Sequence, residues 1–535
     1  MAEHSEPGQG TPSRRALLAR IGAVAGGAAM YQAMSALGVA AESAYTGPIK
    51  LDGDPRGASV VILGAGLAGM VAAMELRKAG YRVQVLEYSD RAGGRCWSLR
   101  GGDRYTELGG ETQTVNFDQG LHFNPGPWRI PYNHHAVLDY CKRLGVALEP
   151  FVQVNYNTLV HGRNAFGGRP QRYREINADY QGGIAELLAK ATRQGKLDEM
   201  VNKQDQEILL ESLRAWGALN TDMTYAKSLL TSDRRGFERD PGGGLTARPV
   251  PSEPVALKDV LSSRLWSFLV TGSLYEFQTT MFQPVGGMDM IAKAMAREVD
   301  GLIRYNTKVT AIQQDEGGVT VTVQDSRGGG AQPEQVQADW CVCTIPLSIL
   351  SQIEMNVSGP MAAAIGAVPY AASVKVGLQF KRRFWEQDEH IYGGISYTDL
   401  PIRMISYPST DYGKPGKGVL LGAYTFGPYA YEFTALPAAE RVRRAVEWGT
   451  TLHPQYRDEF DGGVSVGWHR VPGALGCNGA WTDAKRAEHY DNLCALDGRI
   501  VLAGEHASYI PAWQEGAILS SLDAISRLHR RVVAA

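Results

Sequence analysis

The sequence predicts an α/β fold, α+β when the whole length is counted, and three observations carry that prediction. A short apolar strand, "SVVIL" from Ser59 to Leu63, runs into a glycine-rich turn and then a helical stretch, "LAGMVAAMELRKAG", that stops at Gly80. A second strand, "YRVQVLE", ends on Glu87 and completes a βαβ unit. Near the other end, "RIVLAGE" repeats the buried-strand pattern and leads through "HASYIPAWQEG" into an amphipathic helix, "AILSSLDAISRLHRRV".

The remaining elements follow in order. Around Pro150 the pattern shifts to longer polar helices, and Gly182 to Leu219 reads as an inserted helical domain. The stretch from Arg239 to Leu257 is too rich in Pro and Gly for regular structure and reads as a connection or a lid. "QPVGGMDMIAKAMARE" is a turn and a helix, and "VTVTVQD" alternates as a half-buried strand in a hairpin closed by "SRGGG". "ADWCVCTIP" is another buried strand ending at Pro346, and aromatic-rich strands such as "VKVGLQF" and "VLLGAYTF" follow. No internal repeat is evident.

Composition narrows the function. A chain of 535 residues with 44% hydrophobic content can bury a large core and should divide into two or three domains. A formal charge of -2 gives no reason to expect nucleic acid or an anionic membrane as partner, so a small ligand is the better expectation. Cys96, Cys141, Cys341, Cys343, Cys477 and Cys494 are scattered with no C-x-x-C pair, which argues against a zinc site or a disulfide framework, and no metal is expected. Arg14 and Arg15 precede a Gly/Ala-rich stretch ending in small residues at Ala40 and Ala41, which resembles a bacterial twin-arginine export signal and places the protein in the periplasm or outside the cell. That stretch carries Gln32 and Ser35 and is a poor membrane anchor, and no other segment is apolar enough to span a bilayer.

Gly64, Gly66 and Gly69 form G-x-G-x-x-G between the first strand and its helix. The first glycine permits a tight turn, the second lets the backbone approach a pyrophosphate, and the third lets the helix pack on the sheet. Glu87 ends the next strand, where a carboxylate accepts hydrogen bonds from an adenosine ribose. This is a Rossmann-like dinucleotide site. "DRAGGR", with Gly93, Gly94 and Arg95, follows directly, and "AGE", Ala503 to Glu505, recurs near the C-terminus.

These separated motifs, in this order, resemble the flavin-containing amine oxidase family, from about Ser59 to Arg530. The resemblance implies FAD, bound noncovalently, with Gly504 and Glu505 continuing its cradle. It extends the cofactor set to Gly109, Gly110, Trp128, Arg129, Val309 and Ala517. Within the family the chain looks most like L-amino acid oxidases. "GPWRIPYNHHAVLDYCKRLGV" is similar to the segment whose arginine, here Arg129, binds the substrate carboxylate, and "SYP" places Tyr407 on the same carboxylate. "ASVKVGLQF" places Lys375 where the family has a catalytic lysine holding a water near flavin N5. "PAWQEGA" places Ala512 and Trp513 in the substrate pocket, Trp513 as an aromatic wall, with the following helix starting near Gly516. Read without the family pattern, Lys375 would be a surface residue, and His134, His135 and His506 carry no assigned role.

The implied reaction is oxidation of an L-amino acid by FAD and dioxygen to a 2-oxo acid, ammonia and hydrogen peroxide. An amino-acid 2-monooxygenase and a primary amine or polyamine oxidase are the competing readings. A catalytically silent FAD-binding protein is a third, disfavoured because Arg129, Tyr407, Lys375 and Trp513 occur together. The oligomeric state is open, with a homodimer as the candidate assembly. The expected organisation is a signal at 1–45, a discontinuous FAD-binding domain at 55–110, 282–346 and 477–535, a mixed-sheet substrate-binding domain at 111–175 and 347–476, and a helical domain at 176–281. Two departures stand out. "ETQTVNFDQGLHFN" is an insertion ahead of "GPWRIP", and Cys477 lies within about a residue of the position that carries covalent flavin in monoamine oxidases, by motif spacing alone.

Overall fold

The computed structural model describes residues 43–195, 201–277, 280–328 and 332–534, so all but the last three residues of the expected export signal lie outside it. The described chain falls into two compact units, a smaller one of residues 155–274 with 395–403 and a larger one made of the rest.

In the larger unit, β1 (Ser59–Leu63), α1 (Leu67–Lys78) and β2 (Arg82–Leu86) form the expected βαβ unit, with β1 and β2 parallel and Ile62 opposite Val85. Val61, Ile62 and Leu63 have no exposed surface, because a parallel strand between parallel neighbours is covered on both faces and needs no polar alternation. α1 is buried from Leu67 to Leu76, and a helix apolar on nearly every side belongs in a core. Further along lie α2 (His135–Arg143), α3 (Asp289–Glu298) and β3 (Ile303–Arg304). The hairpin closed by "SRGGG" is present: β4 (Thr307–Gln314) and β5 (Val319–Asp325) are antiparallel, and β5 pairs with β6 (Glu334–Ala338).

β7 (Trp340–Cys343) pairs in parallel with β1. β8 (Ser373–Phe380), β9 (Met404–Ser406), β10 (Gly418–Phe426) and β11 (Phe460–Gly467) lie side by side in the order β9, β10, β8, β11. β12 (Leu496–Asp497) and β13 (Ile500–Leu502) close the first sheet, whose order is β3, β2, β1, β7, β13, β12. The chain ends in α4 (Gln514–Ala534), which packs with α1 against the same core. α4 begins two residues ahead of the expected start near Gly516, which puts Glu515 in its first turn.

The smaller unit is mainly helical. Its helices Tyr173–Arg193 and Lys203–Gly217 bury Ala185, Ala189 and Leu213 against each other, and Asn202 and Asp205 form a reciprocal cap at the start of the second. The Arg239 to Leu257 stretch is tied at its start by one short pairing, Phe237–Arg239 with Val250–Pro251, so it is a hairpin-tethered connection. Among the described residues no helix is long and apolar enough to cross a membrane, and the six cysteines are unpaired thiols.

Candidate active site

The three glycines of the first turn do different work. Gly64 adopts φ +102, and a Cβ there would lie 2.7 Å from Thr344 Oγ1. At Gly69 a Cβ would lie 1.9 Å from the Gly64 carbonyl oxygen, so this position must be bare for α1 to pack. At Gly66 a Cβ would meet no protein atom within 4 Å. The protein therefore gives no steric reason for Gly66; the space beside it suits a ligand. α1 starts with no capping side chain and no acid in its first turn, which leaves its N–H groups and positive dipole end for an anion. Gly69→Ala is expected to lower stability by roughly 1–3 kcal/mol through overpacking. Gly66→Ala should leave the melting temperature of the cofactor-free protein unchanged while weakening FAD binding, as thermal scans and flavin titration would show.

The second glycine pair folds onto the first. Gly93 bridges Gly66, its N–H donating to the Ala65 carbonyl at 2.8 Å. Glu87 braces the turn, accepting from Ala65 N at 2.6 Å and Ser89 N at 2.8 Å. Burial pushes its carboxyl pKa up, against these hydrogen bonds and Arg91. Arg95 then crosses to the C-terminal motif, donating to the Cys477 carbonyl at 2.8 Å and to Glu505 Oε1 at 2.7 Å. Burial opposes the charge on Arg95, yet Glu505 outweighs it and holds the guanidinium proton more firmly than usual. Glu505 also accepts from Gly479 N at 3.2 Å and Ala512 N at 3.1 Å. The last contact holds Ala512 at φ +68, a left-handed conformation unfavourable for a residue with a Cβ, and so aims Trp513.

Around this line three buried polar atoms, Trp128 Nε1, Asn478 Oδ1 and His506 Nε2, have no hydrogen-bond partner among the described residues. Buried polar atoms are rarely left so. Together with the bare Gly66 cradle, they fit a large polar cofactor of the FAD class. Of the other expected cofactor residues, Gly109 adopts φ +67 beside Arg470, and the N–H of Gly110 donates to the Glu107 carbonyl. Val309 is buried in β4 opposite Val323, and Ala517 is half-buried in the first turn of α4.

Lys375 is not a surface residue. All eight residues of β8 are buried, because β10 and β11 pair along both of its edges and other side chains cover both faces. The Lys375 ammonium donates to the Gly126 carbonyl and stands 3.8 Å from the Trp128 ring and 4.5 Å from the Tyr424 ring. Burial drives its pKa well below the ordinary lysine value; Cys477 opposes the shift and Arg129 adds to it.

Arg129 lies in an aromatic cage. Its guanidinium carbon is 4.2 Å from the Trp128 ring, 4.4 Å from that of Phe277 and 5.9 Å from that of Trp513. His134 meets Trp513 edge-on at 4.9 Å. The structure thus brings Arg129, Trp128, Lys375 and Trp513 together. Tyr407 sits in a buried ring cluster with His453 and Tyr456, its hydroxyl 2.5 Å from His453 Nε2. Sequence reasoning missed two residues here: Tyr424, whose ring lies 4.9 Å from that of Trp128, and Glu276, 4% exposed, whose carboxylate feels both Arg129 and the Trp513 indole.

A family model, flavin containing amine oxidoreductase, matches residues 67–528. The chain belongs to this family. An L-amino-acid oxidase of Bothrops pauloensis is 29% identical over 487 residues, covering 88% of this chain and 89% of the relative. One of Siganus canaliculatus is 26% identical over 476 residues, covering 89% and 86%. Among solved structures, a double mutant of putrescine oxidase, described as a structure-based redesign of cofactor binding, superposes with a TM-score of 0.56 at 17% identity, over 89% of this chain and 99% of that one; this likeness concerns the fold. Membership of the flavin containing amine oxidoreductase family implies FAD as cofactor and an oxidative reaction at an amine.

Proposed function

We propose that this chain oxidatively deaminates L-amino acids, releasing a 2-oxo acid, ammonia and hydrogen peroxide. The observation that carries the reading is Arg129, a permanent cation held among Trp128, Phe277 and Trp513 and close enough to Lys375 to depress its pKa. The likeness, over most of the chain, to proteins named L-amino-acid oxidases supports it.

Noncovalently bound FAD supplies a two-electron acceptor that dioxygen restores. The chain's own residues do the rest. Arg129 takes the α-carboxylate by charge-assisted hydrogen bonds, and the aromatic rings exclude water and hold the substrate's Cα in one orientation. Lys375, biased by burial toward its neutral amine, offers a lone pair to hold a water or to receive the proton that the substrate ammonium must lose. Tyr407 is the expected second donor, but its hydroxyl is engaged by His453 in a separate buried ring cluster, so the carboxylate reading rests on Arg129.

One observation favours a second reading, oxidation of primary amines or polyamines. Glu276 gives Arg129 an acid within the protein, which a substrate lacking a carboxylate would leave in place. Product analysis tests the proposal. One 2-oxo acid, one ammonia and one peroxide per dioxygen are expected from an L-amino acid. Amide with carbon dioxide would mark a monooxygenase instead, and turnover confined to amines would overturn the proposal.

A further inference from the structure

Glu276 lies on a single helical turn, Tyr275–Phe277, between two residues that face the same neighbourhood. The Phe277 ring stands 4.4 Å from the Arg129 guanidinium carbon and 6.2 Å from the Trp513 ring. On the other side, the Tyr275 hydroxyl is 3.4 Å from that of Tyr132, three residues past Arg129. Glu276 is thus held beside the group to which the preceding reading assigns the substrate carboxylate, and the inference rests on that reading. A buried carboxylate next to a half-buried guanidinium makes a locally neutral pair. A second carboxylate arriving at Arg129 would leave that pair with an excess negative charge in a poorly solvated place. Either Glu276 loses its charge or the newcomer is held weakly.

We propose that Glu276 sets the site's preference between carboxylate-bearing and carboxylate-free ligands, taking up one proton from solvent whenever a ligand carboxylate settles on Arg129. The balance is simple: the ionised Glu276 and one solvent proton become the neutral acid, the ligand brings one negative charge, and the net charge around Arg129 is unchanged.

Of the groups around Glu276 and Arg129, two can take up such a proton, Glu276 and Lys375, the latter biased by burial toward its neutral amine. Arg129 keeps its proton at any working pH. Across Trp513, His134 has its pKa pulled down to about 3, by burial first and His135 second, so it is neutral throughout. Glu515, two residues past Trp513, is committed to the backbone N–H groups of Ala136 and Val137, both at 2.9 Å. Tyr132 and Tyr275 contribute phenols, not carboxylates. Trp513 offers only an indole N–H. Burial pushes the Glu276 carboxyl up to about 7, with Arg129 and Trp513 pulling the other way, which brings its titration into the range where enzymes work.

The sign follows. Below about pH 7 Glu276 is already protonated, and carboxylate binding is insensitive to pH. Above it, each pH unit should weaken carboxylate binding by up to about tenfold, until the still higher pKa of the complex is passed. Benzoate, a carboxylate with no amine to titrate, is the probe. With the FAD-loaded protein, its dissociation constant is read from the flavin absorbance change between about pH 6 and 9, and its proton uptake from calorimetry in two buffers of different ionisation heat.

Expected are a dissociation constant rising by up to about 50-fold from pH 7 to 9 and an uptake approaching one proton per benzoate near pH 8. In Glu276→Gln both should vanish, with benzoate held more tightly than by the unmodified protein at the alkaline end of the range. Binding without proton uptake, or a Glu276→Gln protein that keeps the slope, would overturn the inference alone. If that variant fails to fold, Lys375→Met separates the two proton-accepting neighbours of Arg129: a slope and uptake that persist there belong to Glu276, and their loss would overturn the inference. No benzoate binding at any pH, with benzylamine still bound, would overturn both this inference and the carboxylate reading beneath it.

Discussion

Arg129→Ala should lower kcat/KM for L-amino acids by roughly three to five orders of magnitude while leaving the FAD content of the purified protein unchanged. The size follows from what the side chain holds. Arg129 sits among Trp128, Phe277 and Trp513, where little water can replace it, and a site built around a charged hydrogen-bonding partner discriminates far more sharply than one built on apolar contact. The matching primary amine has no carboxylate to lose, so its slower turnover should change little. Steady-state kinetics on one amino acid and its decarboxylated amine checks both halves. If the variant loses flavin along with activity, Arg129 is part of the cofactor cradle and the substrate assignment fails.

Glu505→Ala should have the largest structural effect. It removes the buried carboxylate and leaves the half-buried Arg95 guanidinium with the Cys477 carbonyl, a change that should cost less than the about 3–5 kcal/mol of breaking a fully buried ion pair. The same carboxylate accepts from Gly479 N and Ala512 N, so the loss spreads to the segment that aims Trp513. Reduced FAD content and a clearly lower melting temperature are expected together. Glu505→Gln keeps the shape and part of the hydrogen bonding and should fall between the two. A Glu505→Ala protein that melts and binds flavin like the unmodified chain would show that the Cys477 carbonyl and solvent satisfy Arg95 without the carboxylate.

Much of the fold is legible in the amino-acid sequence. β1, α1 and β2 announce themselves because an almost fully buried parallel strand, a largely apolar helix and the glycines between them each leave a distinct pattern. The cofactor cradle was legible for the same reason, since its glycines answer to sterics that hold in any chain. Lys375 was harder to place. The run Val374, Lys375, Val376 looks like a half-exposed strand, and only the pairing of β8 with β10 and β11, far apart in sequence, and the packing over its faces show that it is buried.

Glu276 was not legible at all. Its neighbours Arg129 and Trp513 come from distant parts of the chain, and "SLYEF" carries no periodic or motif signal of its own. An aromatic residue beside an acid in a short helical turn was the only local hint. The Tyr407–His453 contact was hidden in the same way, because a tyrosine's hydroxyl partner depends on tertiary packing rather than on sequence spacing.

The most direct test of the central claim, that Arg129 receives the substrate's carboxylate, is anaerobic mixing of the FAD-loaded protein with L-phenylalanine and with phenethylamine at one pH, following flavin bleaching in a stopped-flow instrument. Bleaching by the amino acid at a rate per concentration at least about a thousandfold above that of the amine is the expected result. Equal rates, or faster bleaching by the amine, would contradict it.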